Sequence, residues 1–299
     1  MNIHLTPSIC KYWITDRRYF SMQHEKKFMN YFFPFLSDYK LHAHESDINI
    51  YCIQEVNIPP SKKLNMILCV ENCSHWKHYK HYNKYSCFGD PNVSIYFYNH
   101  IHKCVFHENF IAIPILYLQL DYYEKHEKTI HPSTTVPFSK KKFCLIATTE
   151  NDLKKPMIQF LKSIGHCDYI LHKKSLKNKS CYHSTELLNY FNQYKFVFVC
   201  ENSVQHGYIT EKIFNCYFSH VIPIYYGSKQ IHTYFCKDSF ICLNDENWND
   251  KKNKILKAKN NPDYYQKIIE CQKIKKIDKE DYQNKMIEFI KKKVGLKTA

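Results

Sequence analysis

Short apolar runs, each closed by polar or turn-forming residues, recur along the chain. In the first half they fall at 48–53 (INIYCI), 66–70 (MILCV), 93–98 (VSIYFY) and 110–116 (FIAIPIL). Runs of this kind suit strands buried on both faces of a parallel sheet. Pro114 marks an edge or the end of the fourth run. An aromatic segment at 25–36 ahead of them reads as helix. In the second half, apolar runs at 143–147, 169–171, 196–200, 221–226 and 240–243 are separated by segments of helical period. These segments are an amphipathic helix over 153–164, one capped by Ser184 that ends near 193, one opened by Thr210, and a short one at 231–235. Strand alternating with helix predicts an α/β fold with doubly wound parallel sheets.

The pattern is interrupted at 129–142 (TIHPSTTVPFSKKK), where two prolines, Ser/Thr and a lysine run give a linker signal. The predicted organisation is an N-terminal α/β domain, 1–137, a second α/β domain, 138–261, and a Lys-rich segment, 262–299. That last segment reads as one or two long helices from Pro262 to Lys293. Tyr265, Ile268, Ile269, Ile274, Met286, Ile287 and Ile290 supply its apolar face.

Composition changes this picture little. The formal charge is +15, yet Arg occurs only at Arg17 and Arg18, and much of the lysine lies beyond Lys251 in a segment read as an exposed helix. No nucleic-acid-binding signature accompanies the charge, so a solvated lysine face is expected and no nucleic-acid partner. Fourteen cysteines would suit a small secreted framework. Here several of them (Cys52, Cys69, Cys144, Cys200) sit inside apolar runs, where a thiol acts as a small hydrophobe. They are expected to be reduced. There is no Cys-x-x-Cys pair, and no metal is assigned to the 18 histidines. No leader pattern opens the sequence and no apolar stretch is long enough to cross a bilayer, so a soluble, cytoplasmic protein is expected. Oligomeric state is not legible.

The chemistry concentrates in 195–228, KFVFVCENSVQHGYITEKIFNCYFSHVIPIYYGS. It reads as strand, polar loop, helix, strand and glycine turn, a βαβ unit with polar groups at the carboxyl end of its first strand. Open α/β sheets bind ligands there. Asn202 offers an amide, Tyr208 a ring and a hydroxyl, and the helix start at Thr210 directs free N–H groups outward. Helix starts favour acids, so Lys212 in the first turn is mildly unfavourable unless it faces an anion. That local conflict points to a phosphate ligand. An ordinary capped helix with Lys212 in water is the other reading of these residues alone.

The whole string resembles the donor-domain signature of the α-1,3/4-fucosyltransferases that use GDP-fucose. The signature stands here as Cys200-Glu201-Asn202-Ser203, then Tyr208-Ile209-Thr210-Glu211-Lys212, then Ile222-Pro223 and Gly227. The resemblance is tight over this segment and looser elsewhere. It implies a GT-B architecture, two Rossmann-like doubly wound domains facing a cleft. It implies inverting, metal-independent transfer of fucose from GDP-fucose to a glycan acceptor, O3 of a GlcNAc or glucose residue. No cofactor is expected, and the sequence has no Asp-x-Asp. The resemblance further implies that Asn202, Tyr208, Thr210, Glu211 and Lys212 bind the donor. Glu211 also acts on the sugar, and Glu71, after the strand MILCV, is the catalytic base. The chain departs from the family at Val70, where Gly is usual, and in lacking an arginine for the diphosphate. Lys154 and Lys155 are the nearest substitutes, with Lys155 preferred. A non-catalytic glycan- or polyanion-binding protein on a degenerate transferase scaffold is the alternative. The aromatic stretch 73–91 is the candidate for acceptor specificity.

Overall fold

The computed structural model describes the strands of the first half of the chain, residues 115–170 and 184–276 with short breaks at 149, 203, 205–206 and 245–246, and isolated helical positions 284, 288 and 292. The chain divides into two compact units, Met1–Leu118 with Asp278–Ala299, and Gln119–Ile277.

The first unit carries a parallel sheet of β1 (Asn2–Leu5), β2 (Lys40–Leu41), β3 (Ile48–Cys52), β4 (Leu64–Cys69), β5 (Val93–Phe97) and β6 (Phe110–Ala112). Its order is β2-β1-β3-β4-β5-β6. The last four strands fall on the four apolar runs. β1 and β2 are too short to leave a pattern in the sequence. The fourth run is split: β6 stops before Pro114, and Ile115–His126 forms helix α1. Proline disfavours helix for the residue before it but suits a helix start, so Pro114 separates strand from helix. The expected helix at 25–36, the stretch 73–91, and the side chains of Val70 and Glu71 lie outside the described residues.

The second unit is built on β7 (Lys142–Ile146), β8 (Cys167–Tyr169), β9 (Tyr194–Cys200), β10 (Ile222–Tyr226) and β11 (Ile241–Cys242), all parallel, in the order β11-β10-β9-β7-β8. The connecting helices are α2 (Lys155–Lys162), α3 (Thr185–Phe191), α4 (Glu211–Phe218) and α5 (Ile231–Tyr234), followed by α6 (Trp248–Asn260) and α7 (Pro262–Glu270). Every residue of β9 is buried except Lys195, which is half-buried. This explains why no alternation marks the strand: both faces are covered. Side chains alternate between faces along a strand. Cys144, Ile146, Phe196, Phe198, Cys200, Ile222 and Ile224 meet Met157, Ile158 and Leu161 of α2, Ile255 and Ala258 of α6, and Tyr265 and Ile268 of α7 in one core. An aromatic cluster forms another part of the core. Tyr123 of α1 lies 5.6 Å from Phe214, 6.0 Å from Tyr217 and 5.0 Å from Phe218, ring to ring, and Phe235 packs on Phe214 and Tyr217.

Two expectations change. The stretch 129–142, expected as a linker, is held by asparagines of α3 and its cap. Ser133 N–H donates to Asn189 Oδ1 at 2.7 Å, and Val136 N–H donates to Asn192 Oδ1 at 2.8 Å. Of the one or two helices expected from Pro262, the first, α7, stops at Glu270, and further helical positions stand at 284, 288 and 292. Lys273 folds back to donate to the carbonyls of Ile268 and Cys271, each at 2.9 Å, and Ile274 forms an antiparallel bridge with Phe235. The carbonyls freed at the helix end thus find a side-chain donor, and the chain leaves as extended backbone. Among the described residues no helix is long and apolar enough to cross a membrane.

Helix α4, which starts at the Thr210-Glu211-Lys212 triplet, ends in a two-bond cap. His220 N–H reaches Tyr217 O at 3.1 Å and Val221 N–H reaches Cys216 O at 3.2 Å, the Schellman arrangement. The residue in the left-handed position is His220, at φ 54°, rather than glycine. We therefore expect His220→Gly to stabilise the protein by about 1 kcal/mol, the order of the left-handed penalty relieved. The urea midpoint at unchanged m-value measures it; an equal or lower midpoint contradicts this account.

Candidate active site

The strand order places the topological switch of the second sheet between β7 and β9, whose connections leave in opposite directions. The crevice at such carboxyl ends is the usual ligand site of an open α/β sheet. Thr148 and Lys154 follow β7, and Glu201, Tyr208, Thr210 and Lys212 follow β9. Gly207, at φ 74°, turns the loop back so that Tyr208, Ile209 and Thr210 are buried.

Glu201 is the centre of this group. Its N–H donates to Tyr226 O at 2.9 Å, which keeps its backbone paired to β10. Its side chain is 0% exposed. A buried carboxylate is costly unless it is paired and hydrogen-bonded. Here Oε1 accepts from Thr210 N–H at 2.9 Å, and Oε2 accepts from the Thr210 hydroxyl at 2.8 Å and from Lys212 Nζ at 3.0 Å. Lys212 Nζ also reaches Thr210 Oγ1 at 3.0 Å. Two expectations are corrected by this network. Thr210 stands at the N-cap of α4 but makes no side-chain capping bond, because its hydroxyl is given to Glu201. The first-turn lysine has a partner within the chain, the Glu201 carboxylate, so the oddity of Lys212 does not by itself require an external anion. Burial alone would lower the Lys212 ammonium pKa. The charge of Glu201, and then that of Glu211, hold it above the ordinary lysine value instead.

The glycine that closes β10 is needed because of Glu201. A Cβ on Gly227 would stand 2.6 Å from Glu201 Cγ and 2.5 Å from the Tyr225 hydroxyl oxygen. That hydroxyl accepts from Ser228 N–H at 3.1 Å, and Gly227 N–H donates to Asn244 Oδ1 at 2.9 Å. The turn is therefore fixed from both sides.

The two candidate lysines after β7 diverge. Lys154, at the N-cap of α2, is buried, and its Nζ donates to Thr148 Oγ1 at 2.7 Å. Burial lowers its pKa. Among the charges that act on it, Lys212 lowers it further while Glu201 opposes the fall. Lys154 thus senses the same groups as Lys212. Lys155, one residue on, is exposed and paired with Asp152 at 2.7 Å, a surface pair of small energetic weight. The Cys200 thiol sits below the site, and burial pushes its pKa up to about 12, so it is held as the neutral thiol.

Of the residues singled out in the sequence, the structure brings together Tyr208, Thr210, Lys212 and Lys154. Glu211 is half-buried in the first turn of α4, and Asn202 is exposed at the bend after Glu201. Lys155 stands apart from them. Glu71 lies outside the described residues. Glu201 and Thr148 were not singled out. The signal for Glu201 was present, since an acid at a strand end is a ready countercharge for a lysine at the next helix start. Their contact is closed by loop geometry that no spacing displays.

Residues 139–293 match the family model described as glycosyltransferase family 10 (fucosyltransferase), C-terminal. Among curated proteins, the chain is similar to the alpha-(1,3)-fucosyltransferase FucT of Helicobacter pylori, 26% identical over 173 residues, covering 47% of this chain and 35% of that protein. It is also similar to alpha-(1,3)-fucosyltransferase B of Drosophila melanogaster, 34% identical over 122 residues, covering 37% of this chain and 27% of that protein. The chain thus spans about a third of the length of these curated relatives. A crystal structure of an alpha1,3-fucosyltransferase matches with a TM-score of 0.62 at 18% identity, over 100% of this chain and 91% of its own. A crystal structure of an alpha1,3-fucosyltransferase with GDP-fucose matches with a TM-score of 0.58 at 17% identity, over the same shares. At such identities the likeness shows the fold, α/β with parallel sheets.

The contact under Gly227 is open to a direct test. Gly227→Ala forces the Glu201 stem and the Tyr225 ring apart and is expected to cost about 2 kcal/mol, the scale of overpacking in a core. Urea unfolding measures it, and a loss below about 0.5 kcal/mol would show that the carboxylate is not confined there.

Proposed function

Because the chain belongs to glycosyltransferase family 10, the fucosyltransferases, we propose that it moves fucose from GDP-fucose to a hydroxyl of a glycan acceptor, O3 of a GlcNAc or glucose residue. The observation that carries this reading is the placement of Lys154 after β7 and of Thr210 and Lys212 after β9 at the switch-point edge of the second sheet, with the Lys212 charge acting on Lys154. Two ammonium groups and the N-terminus of α4 converge where a nucleotide diphosphate sits on an open α/β sheet. The family match, and a structural neighbour solved with GDP-fucose, support the choice of donor.

The reaction proposed is a single inverting displacement. The acceptor oxygen attacks the anomeric carbon of fucose from the face opposite GDP, and the bond from that carbon to the phosphate oxygen breaks. GDP leaves with the electron pair, and the acceptor proton passes to Glu71. Charge growing on the diphosphate is met by Lys154, Lys212 and the helix start, groups already in place before the reaction. In this reading no metal is used, since the sequence offers no Asp-x-Asp to hold one. Tyr208 and Asn202 position the nucleotide sugar, and Glu211 meets fucose hydroxyls or the positive charge that develops on the ring. The two parallel sheets are taken as the two Rossmann-like domains of a GT-B enzyme.

Lys154 takes the place of the family's arginine in this reading. It supplies a point charge in a buried setting, where Lys155 faces solvent and is already paired. Calorimetric titration with GDP separates the two. Lys154→Met is expected to weaken binding about 10- to 100-fold, the worth of a charge-assisted hydrogen bond, and Lys155→Met by less than about twofold. The reverse ranking would reassign the diphosphate contact. Absence of GDP binding by the native chain, with tight salt-sensitive binding to a polyanion, would favour the non-catalytic reading.

Glu71→Gln tests the base. Transfer of fucose to a glycan array should fall by roughly 10²–10⁴, with GDP affinity unchanged. Full transfer by this variant removes Glu71 from the mechanism.

A further inference from the structure

Glu201 has no part in the chemistry above, yet all three partners of its carboxylate belong to the start of α4. The arrangement constrains one ammonium closely. Lysine offers three N–H donors. Two of those on Lys212 meet Glu201 Oε2 and Thr210 Oγ1, each at 3.0 Å. The side chain remains 21% exposed while its partner carboxylate is 0% exposed. The amine is therefore tethered from below by a group that cannot move and stays open from above. A flexible four-carbon stem at a helix start would otherwise sample many positions in water.

We propose that Glu201 is a positioning residue for the leaving diphosphate: it fixes the Lys212 ammonium and the Thr210 hydroxyl and N–H, leaving the remaining donor of Lys212 for the departing phosphate oxygens. This role rests on reading the edge as a nucleotide-sugar donor site. Two features set it apart from simple electrostatic attraction. Glu201 cancels the charge of Lys212, so its presence weakens the long-range pull on an anion. Gly227 keeps a side chain out of the space that the Glu201 stem fills, since a Cβ there would stand 2.6 Å from Glu201 Cγ. The fold thus gives up positive charge at this edge and gains a fixed donor there. Such an exchange serves a transition state, where placement decides the rate, more than a ground state, where net charge decides affinity.

The two contributions separate kinetically. In Glu201→Gln the site gains a net positive charge and Lys212 loses its anchor. Turnover of GDP-fucose should fall in kcat by about 100-fold, the cost of a misplaced catalytic contact, while GDP binds as well as before or better. Glu201→Asp keeps the charge but withdraws the carboxylate by one methylene, and should bring kcat to between about twofold and tenfold below the native value. Tyr217→Phe is the control for stability alone. It breaks the buried 2.9 Å contact with Ser239 in the aromatic cluster, and should lower the melting temperature with kcat unchanged. If Glu201→Gln does not fold, Glu201→Asp carries the test, and its kcat should still fall below native. The proposal is overturned if either folded variant keeps a kcat within about twofold of native, or if kcat and GDP affinity fall together in step with lost stability, as they would for a merely structural residue. A native protein that neither binds GDP nor turns over GDP-fucose overturns the donor-site reading itself, and the role of Glu201 with it.

Discussion

A carboxylate placed inside a protein must be met by donors, and the Glu201 side chain organises the second unit around that requirement. It is fully buried at the end of the central strand β9. Its donors come from Thr210 and Lys212, across a loop that Gly207 folds back. A pair of this kind gains little over well-packed apolar residues, but removing one member leaves an uncompensated charge at a cost of about 3–5 kcal/mol. The residue types at 201, 210 and 212 are therefore coupled by physics before any ligand arrives. Gly227 belongs to the same constraint from the neighbouring strand, since only a missing Cβ admits the Glu201 stem.

The site inherits its electrostatics from this arrangement. Lys212 is neutralised locally and directed. Lys154 is buried, held by the Thr148 hydroxyl, and has no carboxylate in direct contact among its described bonds. Of the two ammonium groups, Lys154 thus contributes more uncompensated charge and Lys212 more geometry. Burial raises the value of both, because a contact shielded from water is screened less.

The strands of both sheets were largely legible, because short apolar runs are what a strand covered on both faces needs. The Ser184 cap was legible for the same local reason, and its hydroxyl does accept from Leu187 N–H at 3.2 Å. What the sequence could not show was direction. Lys154 and Lys155 are adjacent, and only the helix start that turns one inward and the other outward separates them. Thr210 satisfied every rule for a cap, yet its hydroxyl was claimed by an acid nine residues earlier. The place where the C-terminal helix breaks was not legible, because the apolar period continues past Glu270 while Lys273 reaches back to cap the turn, a contact that hydrophobic spacing does not encode. The donor motif was readable as a string, but Glu201 within it was passed over because its importance depends on Gly227 and Tyr225 of another strand.

Asn192 carries a consequence of a mechanical kind. This buried amide accepts from Val136 N–H and donates to Ser219 O at 2.7 Å, while its own carbonyl accepts from Lys141 Nζ. Ser219 ends α4, and Glu201 grips the start of the same helix. The eight residues between are a rigid strut of about 12 Å, clamped at each end by a different buried polar side chain. A strut fixed in this way cannot slide or roll to accommodate a ligand. The position of this helix is thus set by two side chains at the two ends of β9, Asn192 before the strand and Glu201 after it.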